Sequence, residues 1–301
     1  MSNVLRPAEA MTVPVVPARR GPNVLSAIVS MALSKPLGAF GAVVILLVLF
    51  VALAAPLLAP YDPLAMNFDA PFAPPSGRFV LGADEFGRDV LSRIIWGSRI
   101  SVYVGVVSVV LGQAIGGTLG LVSGFLGGKV DVLIQRIVDM LMSFPMLVLA
   151  LSIVAALGPS PINVVLAISI VQVPRSSRII RSAALLVKEM QYVEAGRAIG
   201  ATGARILWRH VLPNCLAPFI VIASTTMGLA ILTEASLSFL GVGTPPPNPS
   251  WGAMLSGTGR SYVEIAPWLA IFPGLALTLT VFGFNLLGDA LRDVLDPRLR
   301  K

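Results

Sequence analysis

Apolar residues in this 301-residue chain fall in long unbroken runs, not in the alternating or amphipathic patterns of a water-soluble fold. Runs of about 20 residues suffice to cross a hydrocarbon core of about 30 Å. Five stand out: Leu37 to Leu58, Ser101 to Phe125, Met140 to Leu157, Leu216 to Leu240 and Trp268 to Leu287. A sixth, Pro161 to Val173, would rise only about 20 Å at about 1.5 Å per residue, short of that thickness. The pattern predicts an all-α polytopic membrane protein with five clear spans and one short candidate.

Composition strengthens this reading. The chain is 55% hydrophobic and 12% charged, whereas a soluble domain carries about 25% charge and a disordered one combines low hydrophobicity with high net charge. Its 24 prolines and 28 glycines would disrupt a soluble bundle, but membrane helices tolerate them because neighbours re-satisfy the freed backbone groups.

The net charge of +7 acquires meaning from its placement. If the short segment spans, one face collects Arg6, Arg19, Arg20 and Lys35, then Lys129 and Arg136, the stretch Arg175 to Arg209, and Arg292, Arg298, Arg300 and Lys301, which is 17 of the 22 cations. Only Arg78, Arg88, Arg93, Arg99 and Arg260 face the other way, among Asp62, Asp69, Asp84, Glu85, Asp89 and Glu264. Cytoplasmic loops are the ones enriched in Lys and Arg. Six spans with both termini cytoplasmic satisfy the rule, with Pro174 kinking the fourth helix. The first span has a long apolar core behind about 36 residues, so it reads as an uncleaved anchor. The expected organisation is a disordered cytoplasmic lead over 1–36, a first span with an external loop over 37–100, a core over 101–288 and a cytoplasmic tail over 289–301. A long cytoplasmic loop at about 175–214 lies inside the core.

Within the second span, Gly112, Gly116, Gly120, Gly124 and Gly128 recur every four residues. Small residues at this spacing let helix backbones approach closely where lipid supplies no hydrophobic drive, so they mark a packing seam, within the subunit or with a second one. The long loop holds two short helical stretches around Gly200 and Gly203, and Pro213 marks the restart toward the membrane. Ile206, Leu207 and Trp208 read as exposed apolar residues set between Arg205 and Arg209, and fit either a helix lying in a partner's groove or one resting on lipid headgroups.

Glu194, Ala195, Gly200, Leu212 and Pro213 match the EAA loop of binding-protein-dependent ABC importer permeases, which this chain resembles. Gly196 stands where the second Ala is usual and His210 where many members have Ile; the phrase Arg209, His210, Val211, Leu212, Pro213, Asn214 is similar to the peptide-transporter branch. Three further stretches resemble the C-type subunit of dipeptide, oligopeptide and nickel permeases. They are Leu81 to Arg93, Glu234 to Gly243 with Pro245 to Pro247 and Pro249 to Gly252, and the tail from Gly288 to Arg298. The resemblance covers the chain from about residue 37 onward. It implies a type I ABC importer permease fold with six transmembrane helices in a bacterial inner membrane. It also implies a related partner permease, two cytoplasmic ATP-binding subunits and an extracytoplasmic substrate-binding protein. In that family the loop is a coupling helix that seats in a cleft of the ATPase, which would assign ATPase coupling to Glu194, Ala195, Gly196, Gly200, Arg205, Trp208, Arg209, His210, Leu212 and Pro213.

Other chemistry is sparse. Glu234 lies about six residues from the outer end of its span, and an intramembrane acid is a candidate polar site. Asp139, three residues after Arg136, fits a helix-surface ion pair. His210 is the only histidine and Cys215 the only cysteine, too few for a metal centre; Cys215 reads as a small packed hydrophobe. Gly127, Gly128, Lys129, Val130 lacks both the preceding Gly and the following Ser or Thr of a phosphate loop. The chain is therefore expected to be non-catalytic, without cofactor or metal, with ATP hydrolysed on another polypeptide. The cargo remains open among dipeptides, oligopeptides and nickel chelates. A secondary transporter driven by an ion gradient is the rival, weakened by the scarcity of central charges; a membrane enzyme lacks any assembled nucleophile and base.

Overall fold

The computed structural model describes residues 35–295. The expected lead up to residue 34 and the end of the tail, with Asp296, Pro297, Arg298, Arg300 and Lys301, lie outside the described residues. In chain order the helices are α1 (Pro36–Leu53), α2 (Ala55–Leu58), α3 (Val90–Leu126), α4 (Gly128–Met142), α5 (Met146–Leu157), α6 (Pro161–Lys188), α7 (Gln191–Ala198) and α8 (Gly203–Ile206). A π turn over Leu207–Val211 leads into α9 (Leu212–Phe239), followed by α10 (Trp251–Leu255), α11 (Gly257–Ser261) and α12 (Trp268–Leu295). No strand occurs among the described residues; one isolated bridge joins Ala83 and Asp89.

Four helical stretches are long and apolar enough to cross a membrane: Pro36–Leu53, Val90–Leu126, Gly203–Phe239 and Trp268–Val294. The pair Gly128–Met142 and Met146–Leu157, bent by 89°, makes a fifth if it counts as one span. Length and apolarity thus reach four or five spans, not the six expected from charge. The helix left over is α6: its 28 residues rise about 42 Å, but its second half carries Arg175, Arg178, Arg181 and Lys188.

Several predicted boundaries move, each for a local reason. The first run stops at Leu53, because Pro56 in the first turn of α2 has no N–H to continue the ladder. The second helix begins at Val90, eleven residues before the expected start, capped by Asp89, whose Oδ2 accepts from the Ser92 amide at 2.8 Å. Hydropathy conceals this turn because Arg93 lies in it, half-neutralised by Asp84 at 3.5 Å, while Arg88 just ahead holds the same carboxylate at 2.7 Å. The third run breaks at Ser143–Pro145, since the residue before proline avoids the helical region. The short candidate at Pro161 continues without a break past Pro174 to Lys188.

That continuity rests on the α3–α6 seam, the most extensive helix contact in the molecule. A Cβ on Gly112 would come 2.8 Å from the Ser169 carbonyl oxygen, on Gly116 2.5 Å from that of Val173, and on Gly124 2.8 Å from that of Arg181; at Gly120 it would overlap that of Ser177. Contacts advance in steps of four on both helices and in the same direction, so α3 and α6 run parallel. Gly128 does not belong to this row: it opens α4 beyond the end of α3, at φ +57°, with nothing within 4 Å of a Cβ. On the other side α12 lies between α1 and α9, with Gly38 and Gly41 of α1 against Ala290, Gly283 and Leu286.

Candidate functional site: a bent element at one end of the bundle

Beyond Lys188 the chain leaves α6 and folds back on the bundle end. Val193 and Gly196 of α7, Ile206 of α8 and Val211 of the π turn are buried, packing with Cys215 against Leu121 of α3 and Ile180, Ala184 and Val187 of α6. This apolar underside fixes the element on the two helices joined by the glycine seam.

The bend is built by hydrogen bonds. Gly200 adopts φ +79°, its amide donates to the Arg197 carbonyl at 2.9 Å, and the Ala201 amide donates to the Gly196 carbonyl at 3.0 Å. This is the two-bond arrangement by which a left-handed glycine ends a helix. Thr202 then caps α8, its Oγ1 accepting from the Arg205 amide at 3.3 Å. A second brace comes from His210, half-buried, with its ring 6.0 Å from that of Tyr192 and its carbonyl oxygen accepting from Asn214 Nδ2 at 2.6 Å. A Cβ on Gly196 would lie 3.9 Å from His210 Nε2, so the departure from alanine here leaves room unused.

One expectation is corrected. Ile206 and Leu207 do not join Trp208 on the outside: Ile206 is buried and Leu207 half-buried, while Trp208 is 68% exposed. The helical period turns adjacent residues to different faces, which a run of apolar letters does not reveal. Pro213 does mark the start of the helix that enters the bundle: it occupies the first turn of α9, where no N–H is required, although the π turn joins α8 and α9 into one stretch from Gly203 to Phe239. The exposed face consists of Glu194, Ala195, Arg197, Ile199, Gly200, Arg205, Trp208, Arg209 and Pro213, with Leu212 half-buried at its edge. Two apolar tips, Ile199 at 86% exposure and Trp208, thus stand among three arginines.

An ion-paired brace that the spacing did not reveal ties α4 to α6. Arg181 donates from Nε and Nη2 to both oxygens of Asp131, each at 2.6 Å, and Ser123 Oγ also binds that carboxylate. Asp139 pairs with Arg178 at 2.7 Å rather than with Arg136, because α6 lies alongside and presents a guanidinium 39 residues away in sequence. At the opposite end Glu234 is fully buried, with Ser238 Oγ donating to Oε1 at 2.8 Å and no partner for Oε2. There Trp251 binds α3, its indole N–H reaching the Ile94 carbonyl at 3.1 Å and its amide Ser101 Oγ at 3.4 Å. Glu85, Arg88, Arg93, Ser238 and Thr244 line one cavity of about 460 Å³. The segments 81–93 and 234–252, far apart in sequence, are therefore neighbours. Among the described residues no three His, Cys, Asp or Glu side chains cluster as a metal site would require.

Residues 116–301 match the family described as "Binding-protein-dependent transport system inner membrane component", and residues 29–75 match the "N-terminal TM domain of oligopeptide transport permease C". The chain belongs to the first of these families. As a permease of binding-protein-dependent transport it has curated relatives at similar identity. These include the di/tripeptide transport system permease protein DppC of Pseudomonas aeruginosa (46% identity, covering 87% of this chain and 89% of that one). The glutathione transport system permease protein GsiD of Pectobacterium atrosepticum is 46% identical over 85% of each chain. A putative peptide transport system permease protein of Brucella suis is 43% identical over 86% of this chain and 87% of its own. Among solved structures, inward-facing forms of the MetNI methionine ABC transporter contain a chain of the same fold, with TM-scores of 0.56 and 0.57 at 18% identity, covering 68% of the permease.

Proposed function

We propose that this permease carries small peptides inward, forming half of a translocation path with a second, related permease, and that the element from Gln191 to Pro213 docks on cytoplasmic ATP-binding subunits. A substrate-binding protein on the outer side would deliver the cargo. The carrying observation is the division of that element into two faces, an underside fixed to α3 and α6 and an outer face that leaves Trp208 and Ile199 uncovered among Arg197, Arg205 and Arg209. Aromatic and arginine side chains are the usual anchors of protein interfaces. Peptide cargo is supported by the names of the relatives, and the cytoplasmic placement of the element and both termini by the concentration of Lys and Arg on that side. An ion-gradient drive has no comparable support.

The proposed coupling follows the chain. Displacement of α7 would act on α6 directly, since only two residues separate them; the glycine seam would take α3 along, and Asp131 and Asp139 would take α4. ATP can bias this motion only if the two permease states contact the nucleotide-bound ATPases differently. The decisive measurement places a thiol at Trp208→Cys, readable because the single native cysteine, Cys215, is buried. A membrane-impermeant reagent should label it only from the cytoplasmic side, and the ATP-binding subunits should protect it. Labelling only from outside would overturn the proposal. Cargo is tested separately, by ATP-dependent uptake of a dipeptide into liposomes holding the complete importer; absence of uptake with intact docking would remove the peptide assignment alone.

A further inference from the structure

A groove of about 670 Å³ runs between α1 and α3 at the end of the bundle opposite the bent element, bounded by Leu49 and Leu53, by Arg99, Tyr103 and Val107, and by Pro161 at the start of α6. Its walls are almost wholly apolar; its one charge is Arg99, at the mouth. Arg88 and Arg93 each sit against a carboxylate, whereas Arg99 is exposed, has no acidic partner within 4 Å among the described residues, and lies over the Trp96 ring at 5.1 Å.

The level of Arg99 is set by the sequence. From Ile100 to Leu126 α3 carries no charge, a run of about 40 Å at 1.5 Å per residue against a core of about 30 Å. Arg99 is therefore the last cation before hydrocarbon, with Trp96 above it and the half-exposed Tyr103 one turn below, the order in which cationic and aromatic side chains meet a headgroup layer. From Arg99 down to Val107 the groove wall descends about 12 Å along the helix. We infer that this groove holds an acyl chain of a phospholipid whose phosphate is bound by Arg99. A free phosphate would satisfy the guanidinium but leave the apolar walls uncovered; a guanidinium on phosphate above an acyl chain satisfies both. The inference requires only that α1 and α3 cross a bilayer, and so stands apart from the cargo and the docking of ATPases.

The test is native mass spectrometry of the assembled importer released from membranes of mixed phosphatidylethanolamine and phosphatidylglycerol. The wild-type complex should retain one phospholipid more than a Leu49→Trp variant, in which the indole obstructs the groove. Arg99→Gln should lower retention about tenfold, as expected for one lost charge-assisted hydrogen bond, and Arg99→Lys should restore most of it. Uptake activity of each variant verifies assembly. Equal retention by wild type, Arg99→Gln and Leu49→Trp would overturn the inference. So would efficient disulfide formation between Leu53→Cys and a cysteine scanned along the second permease, which would show that protein, not lipid, covers the groove.

Discussion

Gly200 offers a clean perturbation of the bent element, because it contributes a backbone conformation and no side chain. It sits at φ +79° with open space where a Cβ would project, so the cost of a substitution there is one of backbone conformation and not of a Cβ clash. A non-glycine residue in the left-handed region costs about 1–2 kcal/mol, and asparagine less because its side chain bonds locally. Proline, confined near φ −65°, cannot take this conformation, and it also removes the amide that donates to Arg197 at 2.9 Å, worth about 1 kcal/mol more. The series Gly200→Asn, Gly200→Ala, Gly200→Pro should therefore rank as near-native, weakened and lost. A cost of about 1–2 kcal/mol corresponds to about a 5- to 30-fold loss of the bent population relative to its alternatives. The underside residues Val193, Ile206 and Val211 are untouched, so membrane insertion and yield should stay level across the series. The assay is substrate-stimulated ATPase activity of the complete importer in liposomes, with hydrogen exchange of the Ala201 amide reporting the bend itself. Graded loss of exchange protection with matching loss of stimulation is expected. Normal stimulation in Gly200→Pro, with the Ala201 amide unprotected, would refute a coupling role for this bend.

Three other outcomes follow from neighbouring features. Gly196→Ala adds a methyl group with its nearest contact at 3.9 Å, inside a helix where glycine costs about 0.5–1 kcal/mol; it should slow amide exchange in α7 about two- to fivefold and leave transport unchanged, and a loss of transport would show that the space is needed. Gly116→Leu must displace the Val173 carbonyl at 2.5 Å and should lower the thermal aggregation midpoint sharply, in line with about 1–3 kcal/mol for overpacking, whereas Gly128→Asn, with open space around it, should match wild type. Asp131→Asn and Arg181→Gln should each weaken the α4–α6 brace by about 1–2 kcal/mol, between the values for exposed and buried pairs, because Arg181 remains a third exposed. A denaturation double-mutant cycle showing no coupling between the two would dissolve the brace.

How much of this was visible in the letters of the chain depends on whether the signal is local. The five long apolar runs are mostly helix, since burial in lipid demands it, but the first is broken at Ala54, the third at Ser143–Pro145, and their ends respond to neighbours that hydropathy does not register. Arg93 hid the first turns of α3 because its carboxylate partner, Asp84, lies in the preceding loop. Pro174 read as a kink and Pro213 as a restart; the first lies inside one unbroken helix packed on α3, and the second falls in a first turn that needs no donor. The four-residue step of the glycines is plain in the sequence; that it meets α6, and that Gly128 drops out, depends on where α3 ends. Asp139 had an acceptable partner three residues away and took one 39 residues away, the standing weakness of any local pairing rule. In the bent element the special residues were legible, but the sorting of Ile206 inward and Trp208 outward required the helix to be built.

The seam between α3 and α6 has the character of a rack. Its notches at 112, 116, 120 and 124 meet carbonyls at 169, 173, 177 and 181 with an identical pitch, so a slide of one notch, about 6 Å along the axis, would present every glycine but the last to an equivalent tooth. A regular rack does not encode its own register. That choice falls to the aperiodic contacts flanking it, with Ser123 of α3 bonded to the Asp131 carboxylate that Arg181 of α6 clasps at one end, and Ser169 Oγ donating to the Ser108 carbonyl at 3.2 Å at the other. Alignment of the two longest-packed helices is thus decided by a few polar latches at the margins, while the glycines between them supply closeness without preference.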